Sequence, residues 1–383
     1  MLNRRTALLA GLALPALQRT AWAADPIKIG MTQPLTGAVA ASGNYVANGA
    51  KIAVEVLNRA GGVLGRPLEL ILEDNKSNPR EAVAAVDKLV LRDRVPVLIG
   101  AWSSTYTLAI MPKLLEYKVP MVVETSSASR ITTSGNPYVF RIAPTSAMEA
   151  VAFSTQLGKF TPAMRKVDFL SVNNDFGRGA AEKFSEALAA KGVTIGRTET
   201  MTPEATDLSA QLAALKQSDA DTIFLTTGVE QQTLALRQAV EQRLGKRFVT
   251  TGGSFPDALI ANPLPAGNTS FHILFYAPWF PERAPYPAIA EAYTAEWNKN
   301  NWEFAGLTEG FRGYDAVLTV VEAIRLAGKP EAEAIREALW KVDIHGVNGD
   351  IRFAKEGPAG QESGQNQPNV AIVTLSEGKT GLL

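Results

Sequence analysis

The sequence predicts an α/β protein with two doubly wound parallel-sheet lobes. Three observations carry this. Short apolar runs alternate with amphipathic helical stretches along the chain. This βαβ alternation is what a parallel sheet covered on both faces requires. The pattern runs through twice, in units of similar size, with no Gly/Ser-rich linker between them. At 383 residues the chain has the length of about two domains.

The first unit opens with a strand at 27–32 and a helix at 45–59, stopped by Gly61-Gly62. A strand follows at 68–72. Asn78-Pro79-Arg80-Glu81 then reads as a helix start, with Asn78 as N-cap, Pro79 in the first helical position and Glu81 completing a capping box. Strand 95–99, helix 105–117 and strand 119–123 continue the alternation. The second unit places helices at 147–159, 178–191, 207–217 and 230–243, with strands at 167–172, 193–198, 222–226 and 247–251. Strand 271–276 comes next, then a Pro-rich surface loop over 278–287. Helices at 288–300, 308–327 and 331–341 follow, and strands at 349–353 and 370–375 close the chain. The polar, Gly/Pro-rich stretch 357–368 is expected to be a mobile loop.

The joins around 141–146, 275–279 and 345–349 are short. They predict two lobes that exchange strands and share a three-crossing hinge. The expected division is residues 1–23 as a leader, 24–143 with 277–346 as the first lobe, and 144–276 with 347–383 as the second.

Composition narrows the role. The formal charge is +0, so no basic excess exists for nucleic acid. Arg4-Arg5, an apolar run over 6–17 and Ala21-Trp22-Ala23 form an export signal, with cleavage expected near Ala23. The apolar run is too short to span a bilayer. Twin arginines fit export of a folded protein, while the lack of Phe after the pair leaves general secretion open. Cleavage removes Arg4, Arg5 and Arg19 and no acid, shifting the formal charge to −3. There is no cysteine, which excludes disulfides, thiolate metal sites and a lipid-bearing cysteine. The expected location is the periplasm.

Catalytic motifs are lacking. The two histidines, His272 and His345, read as structural, and no G-x-S-x-G, H-E-x-x-H, G-x-G-x-x-G or Walker pattern occurs. Neither a catalytic residue nor a metal or cofactor is expected. Binding chemistry is better represented. In open α/β sheets, ligands sit outside the carboxyl ends of the strands. Trp102-Ser103-Ser104 and Thr125-Ser126-Ser127 follow two successive strands there. Their hydroxyls and helix-start amides suit a carboxylate, although Ser also caps helices for structural reasons. Trp102 is read either as a pocket wall or as a core residue. Phe176, at the end of a second-unit strand, is placed to stack on a ligand. Gly228, Glu230, Ser254 and Phe255 end two further strands of that unit. Glu230 or Glu124 is the candidate partner for an ammonium group. Tyr314 and Asp315 read as structural, on a helix packed against the sheet.

These residues carry a resemblance. Ile29-Gly30-Met31-Thr32-Gln33-Pro34-Leu35-Thr36-Gly37, Asn58-Arg59-Ala60-Gly61-Gly62-Val63-Leu64-Gly65 and the run from Leu98 to Ser104 are part of it. Phe140-Arg141-Ile142-Ala143-Pro144, Asp175-Phe176-Gly177 and Gly313-Tyr314-Asp315-Ala316 complete it. In order and spacing the chain resembles the periplasmic solute-binding proteins of branched-chain amino acid type ABC importers, over essentially all of its length after the leader. The resemblance implies two lobes closing on a ligand like a trap, and a membrane permease as partner. It implies carboxylate and amino contacts from Ser103, Ser104, Thr125 and Ser127. Phe176 matches a ligand-facing aromatic of the second lobe, and Gly228 to Glu230 and Ser254-Phe255 match its other contact loops. Two departures stand out. Amino-acid-binding members commonly carry an acid near Ser254-Phe255, and neither position is acidic here. The loop Ala41-Ser42-Gly43-Asn44 lacks the Trp of some leucine binders. The expected function is capture of a small carboxylate, either an amino acid or an aromatic or other organic acid, by a monomer. A periplasmic sensor of the same fold and a secreted carboxylate-dependent hydrolase are the alternatives. Ser103 and Ser127 are the pair whose loss is expected to weaken binding most.

Overall fold

A computed structural model describes residues 25–383, so the expected leader and its expected cleavage near Ala23 lie outside the described residues. The first lobe contains β1 (Ile27–Gln33), α1 (Ala40–Arg59), β2 (Leu68–Asp74), α2 (Pro79–Asp87), β3 (Leu98–Ile99), α3 (Ser104–Tyr117), β4 (Met121–Val123), α4 (Arg130–Thr133) and β5 (Val139–Arg141). The chain then crosses into the second lobe. There it forms α5 (Ser146–Ser154), β6 (Lys166–Val172), α6 (Asp175–Ala189), β7 (Thr194–Met201), α7 (Ser209–Lys216), β8 (Thr222–Thr226), α8 (Val229–Glu241), β9 (Arg247–Thr250), α9 (Ala258–Ala261) and β10 (Thr269–Leu274). It returns through α10 (Pro287–Lys299), α11 (Leu307–Ala327) and α12 (Ala332–Leu339) to the hairpin β11 (Asp343–Gly346) and β12 (Gly349–Arg352), then β13 (Ala354–Glu356) and β14 (Ser363–Gln365). Strands β15 (Ala371–Ser376) and β16 (Lys379–Leu382) end it in the second lobe.

Each lobe holds a seven-stranded sheet, in the orders β13-β14-β5-β4-β3-β1-β2 and β16-β15-β10-β9-β8-β6-β7. The βαβ strands are parallel, and the antiparallel pairs sit at the β13/β14 and β16/β15/β10 edges. Strand composition accounts for burial on both faces. In β4, Met121 and Val123 enter one core while Val122 enters the other. In β8, Ile223 and Leu225 face one side and Phe224 the other. This is period-two alternation between two covered faces.

Two expectations are corrected. The stretch 357–368 is not a loop throughout: it contains β14, whose Ser363, Gly364 and Gln365 are buried and whose backbone pairs with β5. The boundary at 346/347 is also displaced. Because β13 and β14 extend the first sheet, the third crossing runs between Gln365 and Ala371. The sequence shows little apolar patterning there, since Gln365 is fixed by side-chain bonds to Arg141 and backbone carbonyls rather than by hydrophobic burial. The Asn78 cap forms, accepting from the amides of Arg80 and Glu81, but the Glu81 carboxylate pairs with Lys76 instead of closing the box.

Helix α11 is buried along most of its length and packs on α1 through glycines. A Cβ at Gly49 would lie 1.7 Å from the Gly310 carbonyl oxygen, and one at Gly313 would lie 2.0 Å from that of Val46. The backbones therefore touch, which only glycine permits here. Asp315 is buried on the same helix and accepts from the amides of Val347 and Asn348, holding the β11–β12 turn. His272 is fully buried between the hydroxyls of Thr250 and Ser270, and burial drives its pKa down to about 3.

Candidate functional site: the cleft between the lobes

Strand order reverses around β1 and β3 in the first lobe and around β6 and β8 in the second. Such switch points leave a crevice at the carboxyl ends of the strands. The two crevices face each other across one cleft of about 600 Å³ including its mouth, a size within the range of small-molecule sites. From the first lobe it is lined by Trp102, Ser103, Ser104, Thr125, Ser126 and Ser127. Phe176, Gly228 and Ser254 line it from the second. Nine of the eleven expected residues thus meet in one wall.

Their chemistry is uneven. Ser104 Oγ accepts from the Ala128 amide at 3.1 Å, Ser126 Oγ bridges Thr107 and the Trp102 carbonyl, and Ser127 Oγ is bonded to Ser146 Oγ at 2.9 Å. These hydroxyls build the scaffold. Ser103 is the N-cap of α3 yet its side chain makes no cap bond, and Thr125 Oγ1 is buried without a protein partner. Beside them, the first-turn amides of α3 have no intrahelical acceptor. Two free hydroxyls and a helix start can therefore hold an anion, where the sequence offered five hydroxyls.

Trp102 proves to be both wall and core: it lines the cleft and packs against both first-lobe cores. Its φ is +64°, a left-handed conformation that bulky residues rarely adopt. Three contacts enforce it. Its amide donates to Glu124 Oε1 at 3.0 Å, its carbonyl accepts from Ser126, and its indole Nε1 donates to Glu309 Oε2 at 3.1 Å. Glu124 also accepts from Gln33 at 2.8 Å. It is an anchor for the Trp102 loop, and it does not line the cleft.

Two expected residues fall outside the wall. Phe255 is 1% exposed in the second-lobe core, with its ring tilted against those of His272 and Trp279. A β-strand end followed by an aromatic gives no hint of which side the ring takes. Glu230 sits behind Gly228: a Cβ there would be 3.3 Å from Glu230 Oε2 and 3.5 Å from the Trp102 ring. Both Glu230 oxygens are buried without a hydrogen-bond partner, and burial raises the carboxyl to about 7.

The residues missed are mostly from turns. Asn174 caps α6 through the Gly177 amide and lines the cleft, as do Tyr106, Pro203, Thr227, Gln231 and Gly252. Arg312 is the most consequential omission. It is 2% exposed on α11, and its Nη2 crosses the lobes to the carbonyls of Gly252 and Gly253 at 3.1 and 2.8 Å. From the other side, Glu149 Oε1 accepts the Gly252 amide. The loop that carries Ser254 is thus clamped by a cation and a carboxyl. The cluster of charges Glu309, Arg312 and Asp315 on a helix expected to pack against the sheet was the available signal. Thr105 and Arg130 of the first lobe also bond Asp175 of the second, closing one flank of the cleft.

No Asp, Glu or His lines the cleft among the described residues, so a carboxylate-pair hydrolase gains no support from its wall. A family model described as periplasmic binding protein matches residues 26–380. The chain belongs to that family. It is 28% identical over 359 residues to a leucine-, isoleucine-, valine-, threonine- and alanine-binding protein of Pseudomonas aeruginosa, a match covering 93% of each chain. A leucine-binding protein, LivK, from Thermotoga maritima superposes with a TM-score of 0.80 at 26% identity, covering 93% of this chain and 97% of that one. A solute-binding protein from R. palustris solved with benzoate has the same fold, with a TM-score of 0.80 at 19% identity over 94% and 95% of the two chains. The fold is therefore the type I periplasmic binding fold, and these relatives are named as binding proteins. No helix of the described residues is long and apolar enough to cross a membrane.

Proposed function

We propose that this chain is the exported substrate-binding component of an ABC importer. It captures a small carboxylate, an amino acid or an aromatic or other organic acid, between its lobes in the periplasm and hands it to a membrane permease. The observation that supports this most is the facing pair of switch points, with free hydroxyls and helix amides on one side and Phe176 on the other. A ligand touching both lobes binds the closed arrangement better than the open one, and that difference is all that closure requires. The protein acts as a monomer without a cofactor, and it releases its ligand unchanged.

The test is a thermal-shift panel of amino acids, aromatic acids and dicarboxylates, followed by uptake measurements in a strain lacking the gene. A ligand at about a hundred times its Kd raises stability by roughly 2.7 kcal/mol. No shift with any carboxylate, or uptake unaffected by the deletion, would sink the reading.

The hydroxyl inventory moves the expected mutational effect from Ser127 to Thr125. Ser103→Ala combined with Thr125→Val should weaken binding by about 2–3 kcal/mol, since hydrogen bonds to a charged group contribute roughly 1.5–3 kcal/mol each and couple when they share one ligand. Calorimetric titration of the folded double variant checks this, and an unchanged Kd refutes the carboxylate assignment. Phe176→Ala should weaken aromatic ligands more than small aliphatic ones, by about 1 kcal/mol. Equal losses across the two classes would exclude stacking.

A further inference from the structure

Arg312 is the only charged side chain that lines the cleft among the described residues. Three observations bear on what it does. The residue is 2% exposed, yet its guanidinium forms no ion pair within 4.0 Å. Nη2 is occupied by the two loop carbonyls, whereas Nε and Nη1 are buried and have no acceptor in the chain. The carboxylates that attract it act from longer range: Glu124 holds Trp102 and Gln33 through Oε1 and Glu149 holds Gly252 through Oε1, each with Oε2 unpartnered, while Glu309 holds Ser42 and Trp102.

A buried guanidinium with two unmatched donors costs free energy, and an anion entering beside it removes that cost. An ammonium group faces the opposite situation. No carboxylate lines the wall to receive it, and it would share the cleft with a like charge. Aromatic surface is available on Trp102, Tyr106 and Phe176.

We infer that Arg312 is the specificity-determining residue of the cleft and that the ligand is a carboxylate carrying no free amino group. This rests on the carboxylate-capture reading above and narrows it. Arg312 recognises the carboxylate together with the free hydroxyls of Ser103 and Thr125. The same side chain is tied to the Gly252-Gly253 loop of the opposite lobe, so the charge that selects the ligand also sits where the lobes meet.

The test uses acid pairs that differ only in the amino group: 3-phenylpropanoate against phenylalanine, and 4-methylpentanoate against leucine, with benzoate and the neutral 3-phenylpropanamide alongside. Binding to the wild-type protein is read by titration calorimetry. The non-amino acids should bind at least about a hundredfold more tightly than their amino partners and than the amide, the scale expected for a buried charge left without its counterpart. Arg312→Gln should abolish the preference for the acid over the amide, and Arg312→Lys should keep part of it. Tighter binding of leucine or phenylalanine than of its des-amino partner overturns the inference while leaving carboxylate capture intact. Equal acid affinity in a folded Arg312→Gln variant overturns it as well. If no acid of either kind binds, the capture reading itself fails. Should the Arg312 variants not fold, the wild-type pairs still decide.

Discussion

Gly49→Ala should destabilise the protein by about 3 kcal/mol or more, although it adds a single methyl group. Overpacking a well-filled core costs roughly 1–3 kcal/mol when side chains can shift. Here the obstacle is backbone: the new Cβ would sit 1.7 Å from the Gly310 carbonyl oxygen, so α1 and α11 must part. Gly313→Ala meets the Val46 carbonyl at 2.0 Å and should behave alike. The expected Tm drop is on the order of 6–12 °C. Gly179→Ala is the matched control. It lies in α6 with nothing within 4 Å of its Cβ position, and there the substitution should be neutral or stabilise by about 0.5–1 kcal/mol. Melting curves for the three variants check this. Coincident melts of Gly49→Ala and Gly179→Ala would mean that the helices are not in backbone contact.

Stability should fall as the pH rises from about 4.5 to 8. Burial raises five carboxyls: Glu149, Glu230 and Asp315 to about 7, Asp257 to about 8, and Glu124 in the same direction. In the unfolded chain these groups titrate near 4. Between the two values the native state binds more protons than the unfolded state, so raising the pH favours unfolding. A carboxyl shifted by two to three pKa units corresponds to roughly 3 kcal/mol. His272, lowered to about 3, acts in the opposite sense between about 3 and 6.5, but it is one group against five. Asp74, Asp219 and Glu296 have lowered pKa values and set the acid limit, since their stabilisation disappears as the pH falls below about 4. Denaturant titrations at pH 5 and pH 8 give the comparison, and a protein more stable at pH 8 contradicts it. Glu230 and Asp257 add a discriminating detail. Both belong to the second lobe, and both are raised further by the first lobe's Glu309. Glu230→Gln with Asp257→Asn should therefore raise Tm at pH 8 and leave it nearly unchanged at pH 5.

The two lobes and most of their elements were legible in the sequence because their causes are local. β8 came out at 222–226 as expected, since five consecutive buried residues leave no other assignment. Helix α1 begins at Ala40, earlier than the expected 45, and Val39 offers no side-chain cap there to mark it. The candidate wall was legible wherever a strand led into a short polar run, as at Ser103 and Thr125, although only Ser103 heads a helix, since α4 begins at Arg130. It was illegible where the side chain's direction matters, so Phe255 turned into the core and Glu230 behind Gly228.

By itself the sequence determined the βαβ alternation, the pair of lobes and the polar helix starts at their strand ends. Apolar periodicity, caps and breakers act over a few residues and are written in order along the chain. Only the tertiary structure decided that β14 joins the first sheet beside β5, where Gln365 donates to the carbonyl of Ala143, 222 residues earlier in the chain. It alone decided that Gly49 meets Gly310, and that Arg312 of α11 reaches the cleft that Ser103 lines with two donors unmatched. These are contacts between distant segments, where the pairing is chosen by shape, charge and backbone approach, and no local pattern records the partner.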